Sequence, residues 1–376
     1  MKTNHLILNI FAMTMIVIFA TACVDSSQLA GGAGAGGEVT LEPTSEPTLE
    51  MTEAPIVTEA PTEPTPAPIP PTFGHIAFLS DRDGPKNLYV MDAEGANLIR
   101  LTNESFFDDG ASWSPDGSRV AFTSTVDSNT DIYVVNADGN GLLRLTDDPA
   151  KDSSPSWSPD GTRVVFESMR DGNFEIYTVN ADGSGLMRLT DDPAGDSNPK
   201  WSPDGYRIAF TSNRNGNSDI FLVNADGSGL VDLTNDTLPT SDPVWSPDGS
   251  LLAYRDWPSS DYADICIIRA DGGDAQCPVQ GGQNGTPAWS PDGTRLAFRT
   301  TEGIDVFSLV DNSRLTVNSS LEIRGDPTWG PEGARLAFQA DAGGNIEIVY
   351  IVIDTGELFY LTNFPSFDGD PIWTAN

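Results

Sequence analysis

The chain has 376 residues and a formal net charge of −35, with 55 acidic side chains against 20 lysines and arginines. That imbalance excludes a nucleic-acid binder, because holding phosphates takes clustered cations. It fits a solvated acidic surface whose partners are cations or basic groups.

In chain order, residues 1–22 read as an export signal: Lys2 precedes a nearly all-apolar run, Leu6 to Ala22, that ends in Ala20-Thr21-Ala22 before Cys23. Small residues immediately before a cysteine resemble the lipobox of bacterial lipoproteins, with Ala20 where that motif prefers Leu. The resemblance implies removal of residues 1–22 and lipid on Cys23, which anchors the chain to a membrane. An ordinary cleaved signal or an uncleaved anchor are the alternatives, and both still export the chain. Residues 23–72 then combine the lipidated cysteine with a Gly-, Thr-, Pro- and Glu-rich segment. So few apolar groups cannot offset ordering entropy, so this segment is expected to be a disordered stalk spanning about 40 Å as a flexible coil.

From residue 73 to 376 the chain repeats. Trp113, Trp157, Trp201, Trp245 and Trp289 each open the pentapeptide WSPDG at a spacing of 44 residues; Trp329 opens WGPEG after a step of 40, and Trp373 starts a truncated copy. A fixed period in the forties carrying short strands marks a repeat β architecture. In the unit Asp152 to Thr190, strands are expected at 155–157, 163–167, 175–179 and 186–190, separated by turns at Ser158-Pro159-Asp160-Gly161 and Asn180-Ala181-Asp182-Gly183. The second strands carry Phe78, Phe122, Phe166, Phe210, Tyr254, Phe298 and Phe338, each preceded by Ala or Val. One face of every sheet is therefore large and the other small, which suits radial stacking. The fold class predicted is all-β: a seven-bladed β-propeller of four-stranded blades. The first unit lacks a tryptophan strand and the last tryptophan strand lacks a unit, so the C-terminal strand is expected to join the N-terminal blade and close the ring.

The run W-S-P-D-G, R-[VI]-A-F (Arg119 to Phe122), D-I-Y (Asp131 to Tyr133), N-A-D-G-S-G-L (Asn180 to Leu186) and R-L-T (Arg188 to Thr190) resembles the propeller of TolB and the wider group of WD-repeat-like bacterial propellers. The resemblance covers about residues 73–376. TolB itself places an α/β domain before six blades and works with the Tol-Pal envelope machinery; here a stalk replaces that domain and seven blades are expected.

The seven tryptophans read as inter-blade packing residues. The Asp-Gly turns look like fragments of calcium loops but supply one or two carboxylates each, which turn chemistry explains without a metal. Five residues before each tryptophan the repeat stops being uniform: Asp108, Asp152, Asp196 and Asp368 fall on four adjacent blades, and Thr240, Asn284 and Arg324 on the others. These aspartates are candidates for an acidic channel mouth that binds a basic peptide or a Ca2+ ion. The alternative is that each caps its loop or pairs with an arginine of a neighbouring blade, Arg119, Arg163, Arg207, Arg295 or Arg335. Cys266 and Cys277 lie symmetrically about a turn at Asp271-Gly272 and are expected to form a disulfide, with two adjacent free thiols as the alternative. After removal of the signal, His75 is the one histidine, and no H-E-x-x-H or C-x-x-C occurs, so histidine-based and metal hydrolysis lack their residues. The function expected is a monomeric, membrane-tethered, non-enzymatic binding module that recognises a protein or glycan partner at the bacterial envelope, periplasmic or at the cell surface, with no cofactor. A carboxylate-based hydrolase or lyase acting on extracellular glycan or peptide is the alternative.

Overall fold

A computed structural model of the protein describes residues 74–103, 110–235, 237–273, 275–317 and 321–374. The export signal, Cys23, the stalk and Asp108 lie outside these residues.

Each repeat is organised by its tight turn. In the unit beginning at Asp152, the Gly161 N–H meets the Ser158 carbonyl (2.9 Å) and the Ser158 N–H meets the Arg163 carbonyl (2.8 Å). Gly161 has φ 66°, the left-handed conformation that closes such a hairpin and that glycine adopts without steric cost. Asp160 braces the turn from inside: its carboxylate accepts the Ser158 hydroxyl (2.5 Å), the Thr162 N–H (3.0 Å) and the Thr162 hydroxyl (2.8 Å). The chain then returns as Arg163–Ser168, pairs with Glu175–Asn180 and ends on Met187–Arg188. This last strand is shorter than expected because Thr190 leaves the ladder, its hydroxyl taking the Ile176 N–H (2.9 Å) and donating to Glu175 (2.6 Å). The first strand is longer, Asp152–Trp157, and carries a bulge between Ser153 and Ser156.

Seven antiparallel sheets are formed in this way, blades 1 to 7, whose first strands end in order on Trp373, Trp113, Trp157, Trp201, Trp245, Trp289 and Trp329. The C-terminal strand Asp368–Trp373 pairs with His75–Ser80, so blade 1 is assembled from both ends of the repeat array and the ring closes. In blade 7 the innermost strand is split into Glu322–Ile323 and Thr328–Trp329, both paired with Arg335–Asp341. Blade 6 explains the 40-residue step: Arg299 pairs with Ile304 across a turn closed by Thr300 N–H on the Gly303 carbonyl (2.8 Å), where blade 3 runs a long loop between Glu167 and Ile176.

Large meets small at every seam. Ala121 packs in one cluster with Phe166, Val165 with Phe210, Ala209 with Tyr254, Ala253 with Phe298, Ala297 with Phe338, Ala337 with Phe78 and Ala77 with Phe122. Burying one such ring contributes about 1.5–3 kcal/mol. The tryptophans add a directional joint. Trp113, Trp157, Trp245, Trp289 and Trp329 donate their indole N–H to the carbonyls of Ile372, Ser112, Lys200, Val244 and Ala288, each in the blade before (2.9–3.1 Å). A guanidinium of the blade before stacks on the indole: Arg119 on Trp157 (4.6 Å), Arg163 on Trp201 (4.7 Å), Arg207 on Trp245 (5.3 Å), Arg295 on Trp329 (4.7 Å) and Arg335 on Trp373 (5.0 Å). His75 takes the arginine's place beside Trp113, with ring centroids 6.3 Å apart. The turns nest as well, since a Cβ on Gly205 would come within 3.2 Å of Pro159 in the preceding blade's turn.

The turn carboxylates make part of this stability pH-dependent. Hydroxyl bonds from Ser114, Ser158, Ser246 and Ser290 hold Asp116, Asp160, Asp248 and Asp292 below the usual carboxylate range. A carboxylate depressed in the folded state stabilises above its unfolded pKa, and that stability is lost as pH falls through the folded pKa. Replacing these four aspartates by asparagine is expected to lower the melting temperature by roughly 5 °C at pH 7. The gap to the parent should close as pH falls toward the folded values of these groups. Melting curves across the acid range check both parts, and a pH-independent gap would contradict the assignment.

Candidate functional site

Among the described residues, the aspartates five residues before the tryptophans do not line an open mouth. Asp152, Asp196 and Asp368 are fully buried, and each meets an arginine of its own blade: Arg170 (2.9 Å), Arg214 (2.6 Å) and Arg82 (2.9 Å). The cause is the bulge. Without it, an odd spacing from the buried tryptophan would turn these side chains toward the channel; the extra residue flips them to the inter-sheet side. Each arginine is further held by its Nε on a serine two residues earlier, Ser168, Ser212 or Ser80 (2.8–2.9 Å), and lies over Tyr177 (4.6 Å), Phe221 (4.8 Å) or Tyr89 (5.1 Å). The arginines named from the sequence as partners, such as Arg119 and Arg163, stack on tryptophans instead. A recurring Ser-x-Arg at residues 80–82, 168–170 and 212–214 was the available signal. Burial raises the Asp196 carboxyl above its ordinary pKa despite these donors. Thr240 and Asn284 occupy the position in blades 5 and 6, both buried, and the Asn284 side-chain amide donates to the Ala263 carbonyl (2.6 Å). In blade 7 the sign reverses, with Arg324 lying 3.7 Å from Asp341. Asp108 is outside the described residues, and Val126 stands in blade 2 where blades 1, 3 and 4 place the arginine.

In the first strands, the positions three and one before each tryptophan are instead at least partly exposed, and these turn toward the channel. The first set contains the bulge residues, with left-handed φ at Gly110 (69°), Ser154 (58°), Asn198 (54°), Asp242 (57°) and Asp370 (52°). Part of this ring is internally paired. Glu167 accepts the hydroxyls of Ser153 (2.8 Å) and Ser154 (3.0 Å) and the Asn198 N–H (2.9 Å). Asp242 is ion-paired with Arg255. Lys200 sits between these two carboxylates, and burial lowers its ammonium pKa against their pull.

The other arc differs. Asp326 and Asp370, on the adjacent blades 7 and 1, are exposed. Asp326 accepts the Thr286 N–H (3.1 Å) and lies 3.6 Å from Arg299, while the backbone N–H of Asp370 donates to Gln339 (2.7 Å). Both carboxylates border a cavity of about 280 Å3 whose floor is apolar, made by Leu79, Leu88, Phe122 and Ile372. Two carboxylates, one of them shared with Arg299, over an apolar floor suit a ligand with a cationic head on an aliphatic or aromatic stem.

Elsewhere, Cys266 and Cys277 are joined in a disulfide. His75 is buried at the ring closure, its backbone bonded in both directions to Thr374 (2.9 Å each), and burial lowers its imidazole pKa against the opposing charge of Asp92. Six of the tryptophans are 5–8% exposed and Trp113 is half-buried.

Solved structures share this architecture at low identity. TolB from Acinetobacter baumannii is 19% identical with a TM-score of 0.56 over 80% of this chain and 66% of that one. An oligogalacturonate lyase from Vibrio parahaemolyticus is 18% identical (TM-score 0.61, 73% and 85% covered), and a puromycin-hydrolysing peptidase from Mycobacterium tuberculosis is 16% identical (TM-score 0.60, 75% and 50% covered). At these identities the likeness is one of fold, and it spans binding proteins and enzymes alike. No curated protein sequence matches the chain. The TolB beta propeller domain, however, matches over residues 51–151, 111–190 and 147–305, more than half of the sequence. The chain is thus a member of the TolB beta propeller domain family.

Proposed function

We propose that the protein is a non-enzymatic binding propeller of the bacterial cell envelope, tethered through Cys23 and the stalk, which receives a basic side chain of a protein partner beside Asp326 and Asp370. The observation that carries this reading is the contrast between the two carboxylate rings. Asp152, Asp196 and Asp368 are enclosed in buried ion pairs, whereas Asp326, in a half-exposed pair with Arg299, and Asp370 face solvent over an apolar floor. The charge of −35 steers cationic partners toward such a site. The disulfide and the TolB-type propeller accord with an extracytoplasmic protein.

Short peptides with Lys or Arg next to a bulky apolar residue are the direct probe, read by fluorescence anisotropy. Asp326→Asn with Asp370→Asn is expected to weaken binding at least tenfold, about 1.4 kcal/mol, with an unchanged melting temperature, and added salt should weaken the parent's binding in the same direction. Equal affinity of parent and variant would refute the site. Turnover of an envelope glycan or peptide that the double variant loses would instead establish the hydrolase or lyase.

A further inference from the structure

Blade 5 departs from its neighbours at one place. In blade 3, Phe166, Tyr177 and Arg188 lie in register across the second, third and fourth strands. In blade 5 the corresponding positions hold Tyr254 and Cys266 and, across a bulge, Cys277. Two residues beyond Tyr254, Asp256 pairs with Thr240, where blades 1, 3 and 4 pair a serine with an aspartate. The carboxylate has thus crossed from the innermost strand to the second, and Pro258 follows where blades 1, 3 and 4 carry arginine. These changes converge in space. One carboxylate oxygen of Asp256 and the Sγ atoms of Cys266 and Cys277 all lie within 4.8 Å of one another, and Cys266 Sγ is 3.9 Å from Asp256 Oδ2. Asp256 and Cys266 are buried while Cys277 is partly exposed, so solvent reaches the cluster from the Cys277 side.

We infer that reduction of the Cys266–Cys277 disulfide turns Asp256, Cys266 and Cys277 into a three-donor site for a thiophilic divalent cation such as Zn2+, and that the disulfide is the closed, metal-free form of this site. Zinc bonds of about 2.3 Å to sulfur and about 2.0–2.2 Å to oxygen set tetrahedral donors about 3.5–3.8 Å apart. The Asp256–Cys266 separation is already close to that, and the sulfurs need only part to it once their bond is broken. Two thiolates and one carboxylate suit zinc, with the fourth position left to water on the Cys277 side. The chemistry balances with a dithiol as reductant. Its thiolate attacks Cys277 Sγ, the S–S bond breaks and Cys266 leaves as thiolate. The reductant's second thiolate then displaces Cys277, so that two electrons and two protons pass to the pair and the reductant ends as a disulfide. Binding the cation returns both thiol protons to solvent.

The test uses the full chain with Cys23→Ser, which leaves Cys266 and Cys277 as its cysteines, reduced with a phosphine. One equivalent of Co2+ is expected to produce a thiolate-to-cobalt charge-transfer band that Zn2+ abolishes, and the oxidised chain should show none. Asp256→Asn should weaken Zn2+ binding at least tenfold. A reduced, folded chain without the band overturns the proposal, and so does a Cys266→Ser, Cys277→Ser variant that binds Zn2+ as tightly as the reduced parent. Should reduction alone melt the blade, restoration of the melting transition by Zn2+ becomes the readout, and its failure overturns the site.

Discussion

A chain ending at residue 367 is expected to melt at least about 10 °C below the full-length protein and with reduced cooperativity. The deletion removes the innermost strand of blade 1 and, with it, Trp373, whose loss from a core position costs about 3–5 kcal/mol alone. It also strips Arg82 of Asp368, takes the indole from beneath Arg335, and exposes the edge of His75–Ser80 that now pairs with the lost strand. Beyond these local terms, two inter-blade seams lose their common strand, because Trp373 packs with Ala337 and Phe78 on one side while Ile372 packs with Phe122 and accepts from Trp113 on the other. Differential scanning calorimetry reads the result directly. An unchanged transition would show that closure contributes nothing to stability.

Arg214→Met is the point substitution expected to cost most, about 3–5 kcal/mol, because it leaves the Asp196 carboxylate buried without its counter-charge. Blade 6 shows how the molecule tolerates the absence of that arginine: Asn284 stands in place of the aspartate, its amide bonded to the Ala263 carbonyl. Adding Asp196→Asn to Arg214→Met should therefore restore most of the lost stability. The pH dependence separates this mechanism from mere loss of packing. Burial already raises the Asp196 pKa, and removing the arginine raises it further. A carboxylate whose folded pKa lies above its unfolded value costs stability as pH rises through that window. The defect of Arg214→Met should thus shrink as pH falls from neutrality. A constant penalty from pH 8 to pH 5 in thermal melts would assign the loss to packing of the side chain over Phe210 and Phe221.

The blade architecture could be read from residues because it is local and repeated. Trp157 and its copies, the Pro-Asp-Gly turns and the alternation of Val165 with Phe166 each act within a few positions, and seven copies make chance agreement negligible. The closing strand followed from counting, and the Cys266–Cys277 pair from its symmetry about a turn. Positions near the channel were harder. A single extra residue between Ser153 and Ser156 reverses which way Asp152 points, and no residue type announces that bulge. Ser154, Asn198 and Asp242 share only their positive φ, which Asn and Asp adopt more readily than Ser. Arg170 sits in a loop whose Asp, Gly and Asn look like ordinary turn chemistry, so its partnership with Asp152 emerges only when the loop folds back over the strand. Asp326 and Asp370 stand where the other blades carry Gly110, Ser154, Asn198, Asp242 and Thr286, but what separates them from the Arg255-paired Asp242 is exposure over an apolar floor assembled from blades 1 and 2.

The one-way indole bonds at five of the seven seams give the ring a sense of rotation, each of these blades holding the blade before it. Head-to-tail contacts of this kind have two outcomes, a closed circle or an open series. With strand 368–373 seated in its own blade 1 the circle is complete and each protomer is self-contained. Keeping that circle closed rests on one six-residue strand.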